Sequence, residues 1–293
     1  MLKILSGLLL ALSLFACGGG GSPDIPVQTP TILRPACVSG FLPAGCLNYG
    51  YYLTWDGQVA ETADHVNLLW VGGTSRGDDG DVADMAAAKM PTMYDLSLHL
   101  FSGACGAKVL KPLREIELQL LFKRLSDEGL LQYILAFIPQ DEPDVCVINQ
   151  ADVLEANRNI RQAAGKYVGF APKLAVVFAG VTRLHNIEDF DIVSFDLYSA
   201  RSSIFKSGAE YSVLRARMRP GQYTMIISGG YEGWQQDPMP FFNFAETNPE
   251  VIAMISFLWL DMTDGTKGIR SLPNRAAYCR IGKQITGKSG DCL

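Results

Sequence analysis

The sequence predicts an α/β fold, a single (β/α)8 barrel of the TIM type over residues 48–293. Three observations carry that expectation. Apolar runs of strand length recur eight times at a steady pace, and amphipathic segments stand between them. The runs lack a clean alternation of apolar and polar residues, as strands buried on both faces do. The first run is followed by "TWDGQVAET", without the Gly-rich turn that opens a nucleotide-binding sheet, so a barrel is favoured over an open doubly wound sheet.

The elements follow in order. Residues 1–16, "MLKILSGLLLALSLFA", place one cation, Lys3, before an apolar stretch that ends in small residues, the build of a secretory signal peptide. The stretch is short for a membrane span, which needs ~20 apolar residues. Leu14-Phe15-Ala16-Cys17 resembles a bacterial lipobox. The resemblance implies cleavage before Cys17, a lipid on that cysteine and an extracytoplasmic, membrane-anchored protein; Gly18 then permits outer-membrane delivery if the cell is Gram-negative. Residues 17–47 hold the Gly- and Pro-rich stretch "GGGGSPDIPVQTP", suited to a tether, and a local cysteine loop.

The strand candidates are "GYYLTW" (50–55), "HVNLLWV" (65–71), "PTMYDLS" (91–97), "YILAFI" (133–138), "KLAVVFA" (173–179), "DIVSFDLY" (191–198), "YTMIIS" (223–228) and "MISFLWL" (254–260). The clearest helix candidate is 111–129, with Pro112 in its first turn, Leu113, Ile116, Leu120, Leu121 and Leu125 at helical spacing, and Gly129 as its stop. Segments 81–90 and 149–165 read similarly, and weaker helical stretches follow the later strands.

With Cys17 set aside for lipid, Cys37, Cys46, Cys105, Cys146, Cys279 and Cys292 remain, an even set that in an exported chain points to disulfides. Chain order favours Cys37–Cys46 and Cys279–Cys292 as local loops and Cys105–Cys146 as a link between two loops. No CxxC pair occurs, and His65, His99 and His185 have no ligand spacing, so neither a metal nor a cofactor is expected. The net charge is −5 with no long basic run, which excludes nucleic acid as a partner class.

In a barrel of this type, chemistry gathers on loops at the carboxyl ends of the strands. The stretch "YILAFIPQDEPDVC" places Asp141 and Glu142 just past the fourth strand. Here the chain resembles the glycoside-hydrolase-like (β/α)8 barrels, many of which carry an Asn-Glu or Asp-Glu pair at that point. The resemblance implies Glu142 as general acid/base, Asp141 as its polar partner and a carbohydrate substrate. The chemistry is consistent: glycoside cleavage needs one protonated carboxyl and a second, ionised one. A neighbouring acid and partial burial both raise a carboxyl pKa.

The resemblance also implies a nucleophile on strand seven. Glu232 in "IISGGYEGWQ" is the nearest candidate, later than the family pattern places it, and Asp196 near the end of strand six competes, with Tyr198 beside it. Asp56 and Asp261 complete a ring of strand-end acids. Trp55, Trp234 and Trp259 are the expected sugar-stacking aromatics, since aromatic faces pack on the C–H faces of sugar rings.

Two other motifs carry less. "GTSRG" (73–77) matches a nucleophile elbow around Ser75, but no helix follows it immediately and no oxyanion loop precedes it. The loop with Asp78, Asp79, Asp81 and Asp84 lacks the calcium-binding pattern. The expected function is a surface-anchored glycoside hydrolase or transglycosylase; the alternative is a non-catalytic glycan- or protein-binding lipoprotein on the same scaffold.

Overall fold

The computed structural model describes residues 45–52, 58–72, 83, 86–167, 169–197, 209–234 and 237–292. Eight parallel strands form the barrel wall: β1 (Asn48–Tyr51), β2 (Leu68–Gly72), β3 (Thr92–Asp95), β4 (Ile134–Ile138), β5 (Ala175–Phe178), β6 (Ile192–Leu197), β7 (Thr224–Gly229) and β8 (Val251–Phe257). They pair in the order β4-β3-β2-β1-β8-β7-β6-β5. The ring is completed at β4/β5 by a parallel bridge from Phe137 to Leu174 and by the Phe137 N–H donating to Lys173 O at 2.9 Å. Each expected strand is present within a few residues. The eighth lies three residues earlier at each end, stopping at Phe257 instead of running through Trp259.

Helices cover the outside because the strands alternate their side chains between barrel and helix layer. Phe137 turns outward, its ring centroid 5.0 Å from that of Phe122 on the helix Arg114–Asp127. That helix seats Leu118, Leu121, Phe122 and Leu125 against the barrel. Leu113, Ile116 and Leu120, counted in its apolar stripe from spacing alone, are exposed instead. Phe122 decides the rotation by filling the space between Phe137 and Tyr167. The helix Gln150–Ala164 starts where Asn149 accepts the Ala151 N–H at 2.9 Å and buries Val153, Ala156, Ile160 and Ala163. The last helix, Arg275–Thr286, closes over β1, and its Gly282 lies so near that a Cβ there would meet the Tyr49 ring at 2.8 Å.

Disulfides join Cys105 to Cys146 and Cys279 to Cys292, as chain order led us to expect. Cys46 is disulfide-bonded too, and Cys37 lies outside the described residues. Between β3 and the helix Arg114–Asp127, a short antiparallel ribbon pairs Phe101–Ser102 with Val109–Leu110. The Cys105–Cys146 bridge fastens its tip to the loop after β4.

Candidate active site

Strand alternation fixes which side chains meet at the carboxyl end of the barrel. Tyr94 and Phe137 face the helices, so Asp95 and Ile138, which pair in register, face inward. Beyond Ile138, the chain turns through Gln140, Asp141 and Glu142. Glu142 adopts a left-handed backbone, φ 44°. Its N–H donates to Val177 O on β5 at 3.1 Å, and its own carbonyl accepts the N–H groups of Val145 at 3.1 Å and Cys146 at 3.2 Å. The acid loop is therefore pinned by its backbone to the neighbouring strand, while both Asp141 and Glu142 stay half-buried.

Asp141 is the most perturbed carboxyl of the group. Burial first, and then the Asp95 and Glu142 charges, push its pKa up to about 8, against the Tyr52 hydroxyl and the Lys108 ammonium, which favour the ionised form. Tyr52 donates to Asp141 Oδ2, while Oδ1 is buried without a hydrogen-bond partner. Burial also raises the Asp95 carboxyl, opposed by the Ser97 N–H, which donates to Asp95 Oδ1 at 2.7 Å, and by the charges of Lys108 and His99. Lys108 reaches in from the ribbon and donates to Gln140 Oε1 at 2.6 Å. Burial pulls its own pKa down, while Asp95 and Asp141 hold it up.

Two strands round the ring from β4, Asp196 lies at the end of β6, paired in register with Ile227. Burial and then the Asp196 charge raise the Tyr231 phenol, which places that carboxylate and phenol in electrostatic contact. Aromatic rings link the walls. Trp70 and Tyr52 lie 4.5 Å apart between centroids, Tyr52 and Phe257 4.9 Å, Phe257 and Tyr231 5.5 Å, and Tyr231 and Trp234 6.4 Å. Trp234 ends the row as an exposed ring.

The remaining expected residues are placed otherwise. Glu232 is exposed, three residues past β7, and its Oε2 accepts the Lys267 N–H at 3.2 Å. The inward position at the end of β7 is a glycine: Ser228 bonds Ser256 at 3.1 Å on the helix side, so Gly229, in register with Phe257, faces the barrel. Trp259 is corrected from a ligand contact to a core residue. It is fully buried, donates from Nε1 to Glu61 Oε2 at 2.9 Å, and packs on Tyr51 at 4.6 Å and under the Arg275 guanidinium at 5.4 Å. Asp261 is occupied within its own loop, accepting from Gly268 N and Ser271 Oγ, each at 2.9 Å, and from Arg270. Burial opposes its charge, but those donors hold the carboxyl below the usual range. Trp55, Asp56, Tyr198, Ser75, the acidic residues Asp78, Asp79, Asp81 and Asp84, and Cys17 lie outside the described residues.

Among the described residues, one group has metal-ligand atoms close together: Asp64, His65 and Cys279, within 4.8 Å of one another. Cys279 is committed to its disulfide with Cys292. His65 bridges Asp64 at 2.5 Å and the Tyr51 hydroxyl at 2.9 Å.

Sequence reading missed Asp95, Tyr52, Gln140 and Lys108. Asp95 stood inside a strand candidate and Tyr52 inside another, where alternation was too weak to mark an inward acid or phenol. Lys108 had one available signal, the expected Cys105–Cys146 link, which brings its ribbon to the acid loop.

No protein-family model matches the chain, and no curated protein sequence does. Solved structures do. The catalytic domain of a Streptomyces sp. SirexAA-E mannanase superposes with a TM-score of 0.54 at 16% identity, covering 94% of this chain and 99% of the other. A GH113 β-1,4-mannanase gives 0.53 at 9% identity, over 85% and 100%. The Saccharomyces cerevisiae Gas2 protein in complex with laminaritetraose and laminaripentaose gives 0.52 at 11% identity, over 80% and 61%. The fold is that of glycoside hydrolase barrels. The chain spans about three fifths of the Gas2 chain and about half of a Ruminococcus gnavus β-glucuronidase that it also resembles.

Proposed function

We propose that this chain is a glycan-acting barrel enzyme, a glycoside hydrolase or transglycosylase, whose proton donor is the Asp141–Glu142 pair. The observation that carries the reading is a pair of adjacent carboxyls in the loop beyond β4, pinned to β5 by the Glu142 N–H donating to Val177 O at 3.1 Å, with burial pushing Asp141 up to about 8. Structural neighbours that act on mannan or were solved with laminari-oligosaccharides lend support at the level of fold. In this reading Glu142 protonates the departing glycosidic oxygen as the C–O bond breaks. Asp196, at the end of β6, is the second carboxyl, which takes the proton of the attacking water or attacks the anomeric carbon itself. Asp141 keeps a proton in the pair, its Oδ2 accepting from the Tyr52 hydroxyl. Trp234 and Tyr231 offer ring faces to the sugar.

We further propose export and a lipid on Cys17, which the two disulfides suit. Metabolic labelling with a radioactive fatty acid checks this: Cys17→Ala should lose the label.

A second reading, a glycan-binding scaffold without turnover, is favoured by the glycine at the inward end of β7 and by the engagement of Glu232 with the Lys267 amide. A soluble form beginning after Cys17 separates the two. Reducing-sugar release from a polysaccharide panel, lost in Glu142→Gln and in Asp196→Asn, supports the enzyme. Calorimetric binding to the same glycans, without release by the unaltered protein, supports the scaffold.

A further inference from the structure

The ribbon after β3 contributes a cation that the proposed chemistry does not use. Its tip is fastened to the acid loop twice, by the Cys105–Cys146 disulfide and by the Gly106 N–H donating to Cys146 O at 3.1 Å. Just before its returning strand, the half-buried Lys108 places Nζ 2.6 Å from Gln140 Oε1. Gln140 is itself buried and donates from Nε2 to the Asp141 carbonyl at 2.6 Å. A continuous path therefore runs from ribbon to ammonium to amide to the backbone of the carboxyl pair. We propose that Lys108 is a positioning residue for the acid loop, docking it through Gln140 and bringing its charge to the carboxyl pair, with the Cys105–Cys146 bridge holding the ribbon in place.

The electrostatic setting is consistent. Asp141 is faced by Tyr52 just past β1, Asp95 from β3, Glu142 from its own loop and Lys108 from the ribbon. Asp95 is faced in turn by Ser97, His99 and Lys108. Of these groups Lys108 is the one basic amine, its pKa lowered by burial and held up by Asp95 and Asp141, so two inward acids share one counter-charge. A nearby cation lowers a carboxyl pKa, and on Asp141 Lys108 acts in that direction against burial, Asp95 and Glu142. Lys108 thus keeps Asp141 from rising further while still leaving it protonated at neutral pH.

The proposal rests on the acid loop being the reacting loop, yet its test needs no substrate. Carbon-13 NMR of the soluble chain labelled at aspartate carboxyls follows the titration, with Asp141→Asn identifying the signal. The unaltered protein should titrate near 8 at this residue. Lys108→Gln, which retains an amide to meet Gln140 but removes the charge, should move the midpoint measurably upward, and Lys108→Arg should leave it in place. The paired change Cys105→Ser with Cys146→Ser should shift it in the same direction as Lys108→Gln. An unchanged Asp141 midpoint in Lys108→Gln, with native near-ultraviolet circular dichroism, overturns the proposal. An equal shift in Lys108→Arg does so as well. Absence of glycan turnover would overturn the enzyme reading and leave this result untouched.

Discussion

Asp141 couples the proposed chemistry to the stability of the fold. Its folded pKa, about 8, stands above the ordinary carboxyl value, so the native state holds a proton that the unfolded chain gives up. Stability from this residue is complete below ~4, where both states are protonated, and is lost as pH rises toward the folded value. Denaturant unfolding at pH 5 and pH 8.5 should therefore show a weaker protein at the higher pH, and Asp141→Asn should flatten the difference. Asp95, raised in the same direction, leaves a residual slope. His65 works at the other end of the scale. Burial lowers its pKa against the Asp64 carboxylate, so its contribution is present above ~6.5 and is lost as pH falls toward the lowered value. His65→Gln should lower stability at pH 7 but reduce the acid-side slope between pH 6.5 and 5. The residue scale was also the least legible in the sequence. Asp141 and Glu142 stood out because two adjacent acids after a buried strand are conspicuous, whereas Asp95 and Lys108 matter only through neighbours that are distant along the chain.

At the scale of elements, the helix Arg114–Asp127 shows where periodicity misleads. Its leucines and Ile116 recur at helical spacing on more than one face, and a count of apolar residues cannot choose among faces. Phe122 chooses, because the outward Phe137 ring leaves a space that only its own neighbours reveal. Phe122→Ala should cost roughly 3–5 kcal/mol in urea unfolding, whereas Ile116→Ala, on the exposed side, should fall within about 0.5 kcal/mol of the unaltered protein. The last helix obeys a tighter constraint. Gly282 lies against the Tyr49 ring, and Gly282→Ala would force the helix away from β1 at a cost of roughly 1–3 kcal/mol, read by the same unfolding curve. Trp259 belongs to this scale as well. A tryptophan near a strand end reads as a ligand contact in a barrel sequence, but β8 stops two residues earlier and the chain turns the indole into the layer between β1 and the last helix. Strand length could not be read to that accuracy from a run as uniformly apolar as 251–260.

For the whole molecule, the eightfold alternation was legible because each strand is buried on both faces and each helix must cover one, so composition repeats with the architecture. The disulfides act on the same scale. The Cys105–Cys146 bridge spans 41 residues, and closing that loop removes about 4 kcal/mol worth of unfolded-chain freedom in the chain-entropy account. Reduction should lower the thermal midpoint by on the order of 10 °C, measured by calorimetry with and without reductant. The barrel ring itself has an uneven seam. Between β4 and β5, one bridge at Phe137 and the single amide of Glu142 reaching Val177 do the joining that ladders of bonds do elsewhere. The backbone that presents the proposed proton donor is thus also a stitch in the wall. Any breathing of the barrel at that seam would swing the carboxyl along with it. Deuterium uptake at the Glu142 amide would then time the opening of the cylinder and the departure of the acid as one event.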